Sequence, residues 1–472
     1  MSSNLYKSLL SGTLWTLIGQ FGYLGITLIA NIILARILSP EEFGQLGIVF
    51  FFIVISRVLT ESGLGGALIR NNNATNIDFS TIFIFNLAVS VFLCLLLIVS
   101  SGIIADFYDD QSLKNLLIAS SFILIINAFQ FVQNVKITRS MRFKQKSIYE
   151  FFAILTSASI SIYLALQGLG VWSLVAMQLI TAFNITVLFW FFEGGHGKLI
   201  FNKASFKYHY KFGINTTIAS ILNSVFDNIY QVILAKYFTI TQTGLYYQAK
   251  KLQDVPVGII NKLTQSVLFS FLSKSQEDKE MFKKTYEQTV RLFTVVSGLV
   301  AVLLYTFAYD IILLVLGKQW VSATFFLEIF SIVGFFYLQE MFNRILFKIY
   351  NDTKYILYLE VIKKIIQIIS IIVGLVWNNL SLLMYGFVLT SVLSYLINFS
   401  YTNKKYTFIG NKELISVIKV ILIGLLLSFL NEYIYKFNFL FDILITILSY
   451  LVLVIIFKLF SINEIKNLRR IR

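Results

Sequence analysis

The sequence predicts an all-α integral membrane protein of about 14 transmembrane helices, arranged as two pseudo-symmetric six-helix lobes plus two C-terminal helices. Three observations carry this expectation. The composition is too apolar for a water-soluble surface, apolar runs of spanning length recur along the whole chain, and one block repeats at an offset of 200 residues.

Of 472 residues, 57% are hydrophobic, 13% are charged and only two are proline. A soluble domain of this length could not cover itself with so little charge. The single cysteine, Cys94, lies inside an apolar run, so the sequence offers no disulfide and no thiolate metal site, and Cys94 reads as a small core residue. The first apolar run, Leu10 to Leu34, is too long for a signal-peptide core and no small-residue cleavage site follows it. It reads as a retained first helix.

Crossing ~30 Å of hydrocarbon takes ~20 helical residues, with every backbone polar group satisfied inside the segment. Runs of that length place spans at 10–34, 45–69, 79–105, 116–135, 148–167, 171–192, 213–238, 245–272, 286–309, 323–349, 356–377, 380–401, 414–435 and 440–460. Basic loops stay on the cytoplasmic side. With the N-terminus inside, 25 of the 39 Lys and Arg fall in cytoplasmic segments, 7 at outer connections and 7 within spans. One missed helix would invert everything after it, so both termini are expected in the cytoplasm. The net charge of +15 follows from this distribution. Nucleic-acid binding would instead gather the bases on one face or in a tail.

The first span ends Leu34-Ala35-Arg36-Ile37-Leu38-Ser39-Pro40-Glu41-Glu42-Phe43-Gly44, and the seventh ends Leu234-Ala235-Lys236-Tyr237-Phe238-Thr239-Ile240-Thr241-Gln242-Thr243-Gly244. Leu, Ala, a base, a hydroxyl residue and Gly recur. Six helices separate the copies, an even number, so the repeats run parallel about an axis along the membrane normal. The expected lobes are residues 1–200 and 201–402, with 403–472 forming two extra helices and a basic cytoplasmic tail. The repeated block reads as architectural, with the base snorkelling at the outer helix end and Gly permitting a tight turn. Two such lobes are the layout of alternating-access transporters.

Gly12-x-x-Trp15, the Leu34 to Gly44 turn, the run Gly63-Leu64-Gly65-Gly66-Ala67-Leu68-Ile69-Arg70, Phe226-Asp227, Gly244-Leu245-Tyr246 and Pro256 resemble the Wzx-like polysaccharide flippases. These form the lipopolysaccharide and teichuronic-acid exporter branch of the multidrug/oligosaccharidyl-lipid/polysaccharide exporter superfamily. The resemblance spans essentially the whole chain. It implies transfer of an undecaprenyl-diphosphate-linked oligosaccharide to the outer leaflet of a bacterial inner membrane, for surface polysaccharide synthesis. It also implies a glycan polymerase and chain-length machinery as partners, and Na+ or H+ as the coupling ion.

A charge near the bilayer centre costs at least ~2.5 kcal/mol, so each needs a partner or a wet cavity. At ~1.5 Å per residue, Arg57 lies ~18 Å deep, Lys262 ~15 Å and Asp227 ~21 Å. Glu61 follows Arg57 by four residues on the same helix face. Two readings stand side by side. Arg57 and Glu61 form a local ion pair, and Asp227 pairs with Lys262. Alternatively, Arg57, Lys262, Asp227 and Glu61 line a substrate cavity in which the cations neutralise the diphosphate. Glu340 and Arg344 repeat the i,i+4 spacing, and Arg291 lies near an inner helix end. Snorkelling suffices for these three, the alternative being a cytoplasmic vestibule. Tyr246, Tyr247, Trp172 and Trp320 read as interfacial anchors.

Neither catalytic residues nor metal ligands stand out, and no cofactor is expected. A membrane glycan polymerase or transferase would need carboxylate or His clusters in sizeable loops. Here His196 and His209 stand alone, and Asp106, Asp109 and Asp110 read as a solvated acidic turn. An ion-coupled multidrug or organic-cation exporter would favour a net acidic cavity, whereas the mid-depth charges here balance. The chain lacks a nucleotide-binding P-loop, so an ion gradient is the expected energy source.

Overall fold

The computed structural model describes residues 19, 22–61, 63–71, 73–194, 199–265, 272, 279–406, 411–433 and 438–459. Among them there is no strand. Side-chain caps mark where several of the helices begin. Helix α1 (Gly22–Ile37) ends at a two-residue connection, and Ser39 caps α2 (Pro40–Glu61). The Glu42 carboxylate accepts from Ser39 N at 2.7 Å, and Ser39 Oγ accepts from Glu42 N at 3.4 Å, a reciprocal capping box with Pro at the first helical position. Gly63, at φ 61, separates α2 from α3 (Leu64–Arg70). Thr75 and Asp78 form a second capping box at α4 (Asn76–Phe107), followed by α5 (Ser112–Arg139), α6 (Phe143–Leu166) and α7 (Val171–Glu193). Asn202 caps α8 (Lys203–Tyr237), and Thr239 Oγ1 accepts from Gln242 N at 3.1 Å to open α9 (Ile240–Leu263).

Further along lie α10 (Lys279–Thr306), the short α11 (Ala308–Val315), a 3-10 turn at Lys318–Ala323, α12 (Thr324–Ile349) and α13 (Thr353–Val376). The chain continues through α14 (Leu380–Lys405), α15 (Lys412–Tyr433) and α16 (Phe439–Ile456). Ten helices among the described residues are long and apolar enough to cross a membrane. Helices α8, α9 and α13 are long but carry more polar groups.

The chain divides into two compact units, Met1–Tyr247 and Gln248–Arg472. In the first, α8 packs along α2, α3 and α4, and α5 packs against both α4 and α7. In the second, α10 packs on α12 and α15, while α13 pairs with α14. Val417, Val420, Ile423, Leu427, Tyr450 and Val454 of α15 and α16 share one buried cluster with Val295, Val302, Phe335 and Phe336. Large apolar residues such as Val99, Ile103, Phe191 and Leu440 face outward, as a lipid solvent allows.

Four of the five repeated positions have a packing reason. Leu34, Leu234, Ala35 and Ala235 are buried, and Ser39 and Thr239 are equivalent helix caps. The glycines correct the sequence expectation. Neither forms a turn, for both lie five residues inside a helix, and neither has positive φ. Instead a Cβ on Gly44 would collide with the Ile240 carbonyl, and one on Gly244 with the Pro40 carbonyl and the Gly44 nitrogen. The two helix starts touch backbone to backbone, which only glycine permits. The aromatic expectation is also corrected. Trp320, Tyr246 and Tyr247 are buried, the ring of Tyr246 stacking on Tyr230 at 6.4 Å, while Trp172 stays exposed.

Gly44→Ala is therefore expected to lower stability by about 1–3 kcal/mol through overpacking. Gly102→Ala, in α4 with open space around it, should be neutral or stabilise by up to ~1 kcal/mol. Thermal unfolding of the two purified variants checks this, and equal melting points would sink the close-approach argument.

Candidate functional site

In the first unit, the end of α2 borders a polar recess of about 180 Å³ lined by Arg57, Thr60, Glu61, Asn86, Asn127, Gln130, Asn134 and Glu150. Arg57 Nε lies 3.1 Å from Glu61 Oε1, and both side chains remain about half exposed, at 56% and 52%. The carbonyls of a helix's last turn lose their intrahelical donors. Asn86 of α4 supplies one, its Nδ2 donating to the Thr60 carbonyl at 2.7 Å, which pins the helix end beside the recess. On α5, Gln130 Nε2 donates to Asn127 Oδ1 at 2.5 Å, whereas Asn134 Oδ1 is buried without a partner among the described residues. A half-exposed ion pair beside amide groups can exchange its internal partner for an incoming anion and offer hydrogen bonds to hydroxyls.

Asp227, on α8, is exposed, and so is Lys262, near the end of α9. Of the three shallower residues, Glu340 and Arg344 do not simply snorkel. Glu340 is only 2% exposed and is ion-paired to both Arg344 and Lys363, the latter at 2.9 Å. Arg344 also pairs with Glu360, and Lys364 Nζ lies 3.3 Å from the same carboxylate. Two carboxylates and three cations thus bridge α12 and α13. Arg291 sits elsewhere, in a recess with Lys412, Lys419 and Lys458.

The sequence reading left Lys363 and Lys364 without a role and passed over Glu360. Their spacing, Glu360-x-x-Lys363-Lys364-x-x-Gln367, marks one face of an otherwise apolar helix and was a usable signal. Glu413 was also missed, because it stands at the edge of an expected span. It is buried, accepting from Tyr286 Oη at 3.1 Å and Asn343 Nδ2 at 2.9 Å. Nearby, Thr294 donates to Gln339, and Gln339 donates to Ser297.

Other expectations resolve similarly. Cys94 is buried beside Ser121. His209 is not alone, since its Nε2 lies 3.4 Å from Asp78 Oδ1, while His196 lies outside the described residues. In the acidic turn, Asp109 meets Lys236 at 3.2 Å, Asp110 accepts from Gln45 at 2.8 Å, and Asp106 accepts from Gln111 at 2.6 Å. Among the described residues no group of three metal-ligating side chains occurs.

Residues 33–325 match the family of polysaccharide biosynthesis proteins. The chain is 22% identical over 334 residues to the teichuronic acid biosynthesis protein TuaB of Bacillus subtilis, covering 70% of this chain and 69% of that protein. It is likewise 22% identical over 335 residues to the lipopolysaccharide biosynthesis protein WzxC of Escherichia coli, covering 70% and 68%. Among solved structures, the lipid II flippase MurJ in an inward closed conformation superposes with a TM-score of 0.75, at 16% identity, over 94% of this chain and 98% of that one. The fold is MurJ-like.

Removing one partner from a buried charge cluster costs about 3–5 kcal/mol, whereas an exposed pair is worth about 0–1 kcal/mol. Glu340→Gln should therefore lower the melting temperature markedly and Glu61→Gln hardly at all. A Glu340→Gln/Lys363→Gln double variant should recover part of the loss. Similar melting points for Glu340→Gln and Glu61→Gln would contradict the assignment of these groups to buried and accessible classes.

Proposed function

Because the chain belongs to the family of polysaccharide biosynthesis proteins, we propose that it flips an undecaprenyl-diphosphate-linked oligosaccharide across a bacterial inner membrane by alternating access. Fourteen crossings with both termini cytoplasmic, two six-helix lobes and an appended helix pair complete this reading. The product feeds a surface polysaccharide, and a polymerase acts on it after transfer.

The observation that carries the proposal is the half-exposed Arg57–Glu61 pair beside the amide-lined recess of the first unit. Glu61 balances the accessible guanidinium at rest. A diphosphate replaces it on arrival, with bidentate hydrogen bonds that a planar guanidinium is shaped to make. Lys262, an exposed cation of the second unit, is proposed separately as a contact for the diphosphate. Glu61 releases Arg57 as the phosphate binds. The amides of Asn127, Gln130 and Asn134 suit the hydroxyl and amide groups of sugars.

The decisive experiment is export in a deletion strain, followed as lipid-linked glycan reaching the outer leaflet of spheroplasts. Deletion should trap the glycan in the inner leaflet. Arg57→Ala and Lys262→Ala should each reduce export roughly tenfold or more, the loss expected when a charged hydrogen bond of ~1.5–3 kcal/mol is removed. Wild-type export by both variants at normal protein abundance would refute the binding assignment. Export of a cationic dye instead of the glycan would refute the substrate class.

A further inference from the structure

At one end of the second unit, α10, α15 and the residues after α16 enclose a recess of about 240 Å³. Arg291 of α10, Lys412 and Lys419 of α15 and Lys458 line it, together with the carboxylates of Glu287 and Glu413. Both acids are already engaged. Lys412 Nζ lies 2.8 Å from Glu287 Oε2, and Glu413 accepts from Tyr286 and Asn343. Among the described lining residues, four basic side chains thus meet two carboxylates. Lys419 donates to the Phe457 carbonyl at 2.8 Å, which occupies one of its three protons and leaves two.

A second observation concerns Lys458. Beyond the last turn of α16, Leu459 N donates to the Val454 carbonyl and Lys458 N to the Ile455 carbonyl, each at 3.0 Å. This is the paired bonding of a Schellman turn, with Leu459 buried as its hydrophobic anchor. The central position requires φ near +60° and strongly favours glycine, yet Lys458 occupies it at φ 53. The turn thus sets an exposed ammonium at the rim of the basic recess where backbone preference alone would select glycine.

We propose that this recess binds the phosphate of an anionic phospholipid headgroup. Arg291 offers the planar, bidentate donor set for phosphate oxygens, and Lys419 and Lys458 act as point charges. The loop charges assign this end of the unit to the cytoplasmic side, where anionic headgroups present their phosphates to basic pockets between helices. A bound headgroup joins the end of α16 to α10, linking the C-terminal helix pair to the body of its unit. A zwitterionic headgroup carries its own cation and gains less.

The test uses purified full-length protein in detergent, titrated with phosphatidylglycerol, phosphatidylcholine or glycerol 3-phosphate and read by native mass spectrometry. Phosphatidylglycerol should be retained at one tight site and phosphatidylcholine should not. Lys458→Gly suits the turn and should keep the wild-type melting temperature while weakening phosphatidylglycerol about 5-fold. Adding Lys419→Gln should bring the loss to about 30-fold. Equal retention of the two lipids, or unchanged phosphatidylglycerol binding in the double variant, overturns the proposal. Glycerol 3-phosphate binding as tightly as the lipid, through the same residues, overturns the lipid assignment in favour of a soluble phosphate ester.

Discussion

Hydrocarbon supplies no hydrogen bonds, so each polar group in the spanning helices must find its partner within the protein. Much of the local structure answers that demand. Ser161 donates to the Ser173 carbonyl, Thr181 to Ser157, and Asn86 reaches across to a helix-end carbonyl. The second unit gathers Thr294, Ser297 and Gln339 into a buried chain of hydrogen bonds while large aliphatic side chains face outward. Polarity lies inside and apolar bulk outside, because the energetic gain from burying apolar surface is small when the solvent is itself apolar.

The same demand shapes the repeated block. A helix start exposes four N–H groups, and Ser39 and Thr239 each satisfy one of them. Capping alone would not require glycine. Gly44 and Gly244 recur because the two capped starts press against each other's backbone, and a single methyl group at either position has nowhere to go. The repeat is thus a record of a contact made by its own two copies.

Charges divide by what surrounds them. Glu340, Arg344, Glu360, Lys363 and Lys364 pair with one another inside the second unit, and such a cluster is costly to disturb. The Arg57–Glu61 pair is worth little to stability because both partners remain accessible. That accessibility makes Arg57 the better candidate for ligand binding. A cation whose removal barely affects folding is free to serve a substrate.

The sequence alone determined the membrane class, the positions of ten long apolar helices among the described residues, the 200-residue repeat and the family. These rest on properties that run along one helix, namely length, hydropathy and local motif, so neighbours in sequence suffice to read them. Arg57 and Glu61 were legible as a pair for the same reason, being one turn apart. Only the tertiary structure decided that Glu340 is paired across helices with Lys363, that Glu413 lies in a cage of Tyr286 and Asn343, that Trp320 is buried, and that Gly44 and Gly244 serve contact rather than a turn. Each of those facts depends on how far a helix is rotated and raised against its neighbour. That is set by packing between segments far apart in the chain, which no local pattern encodes.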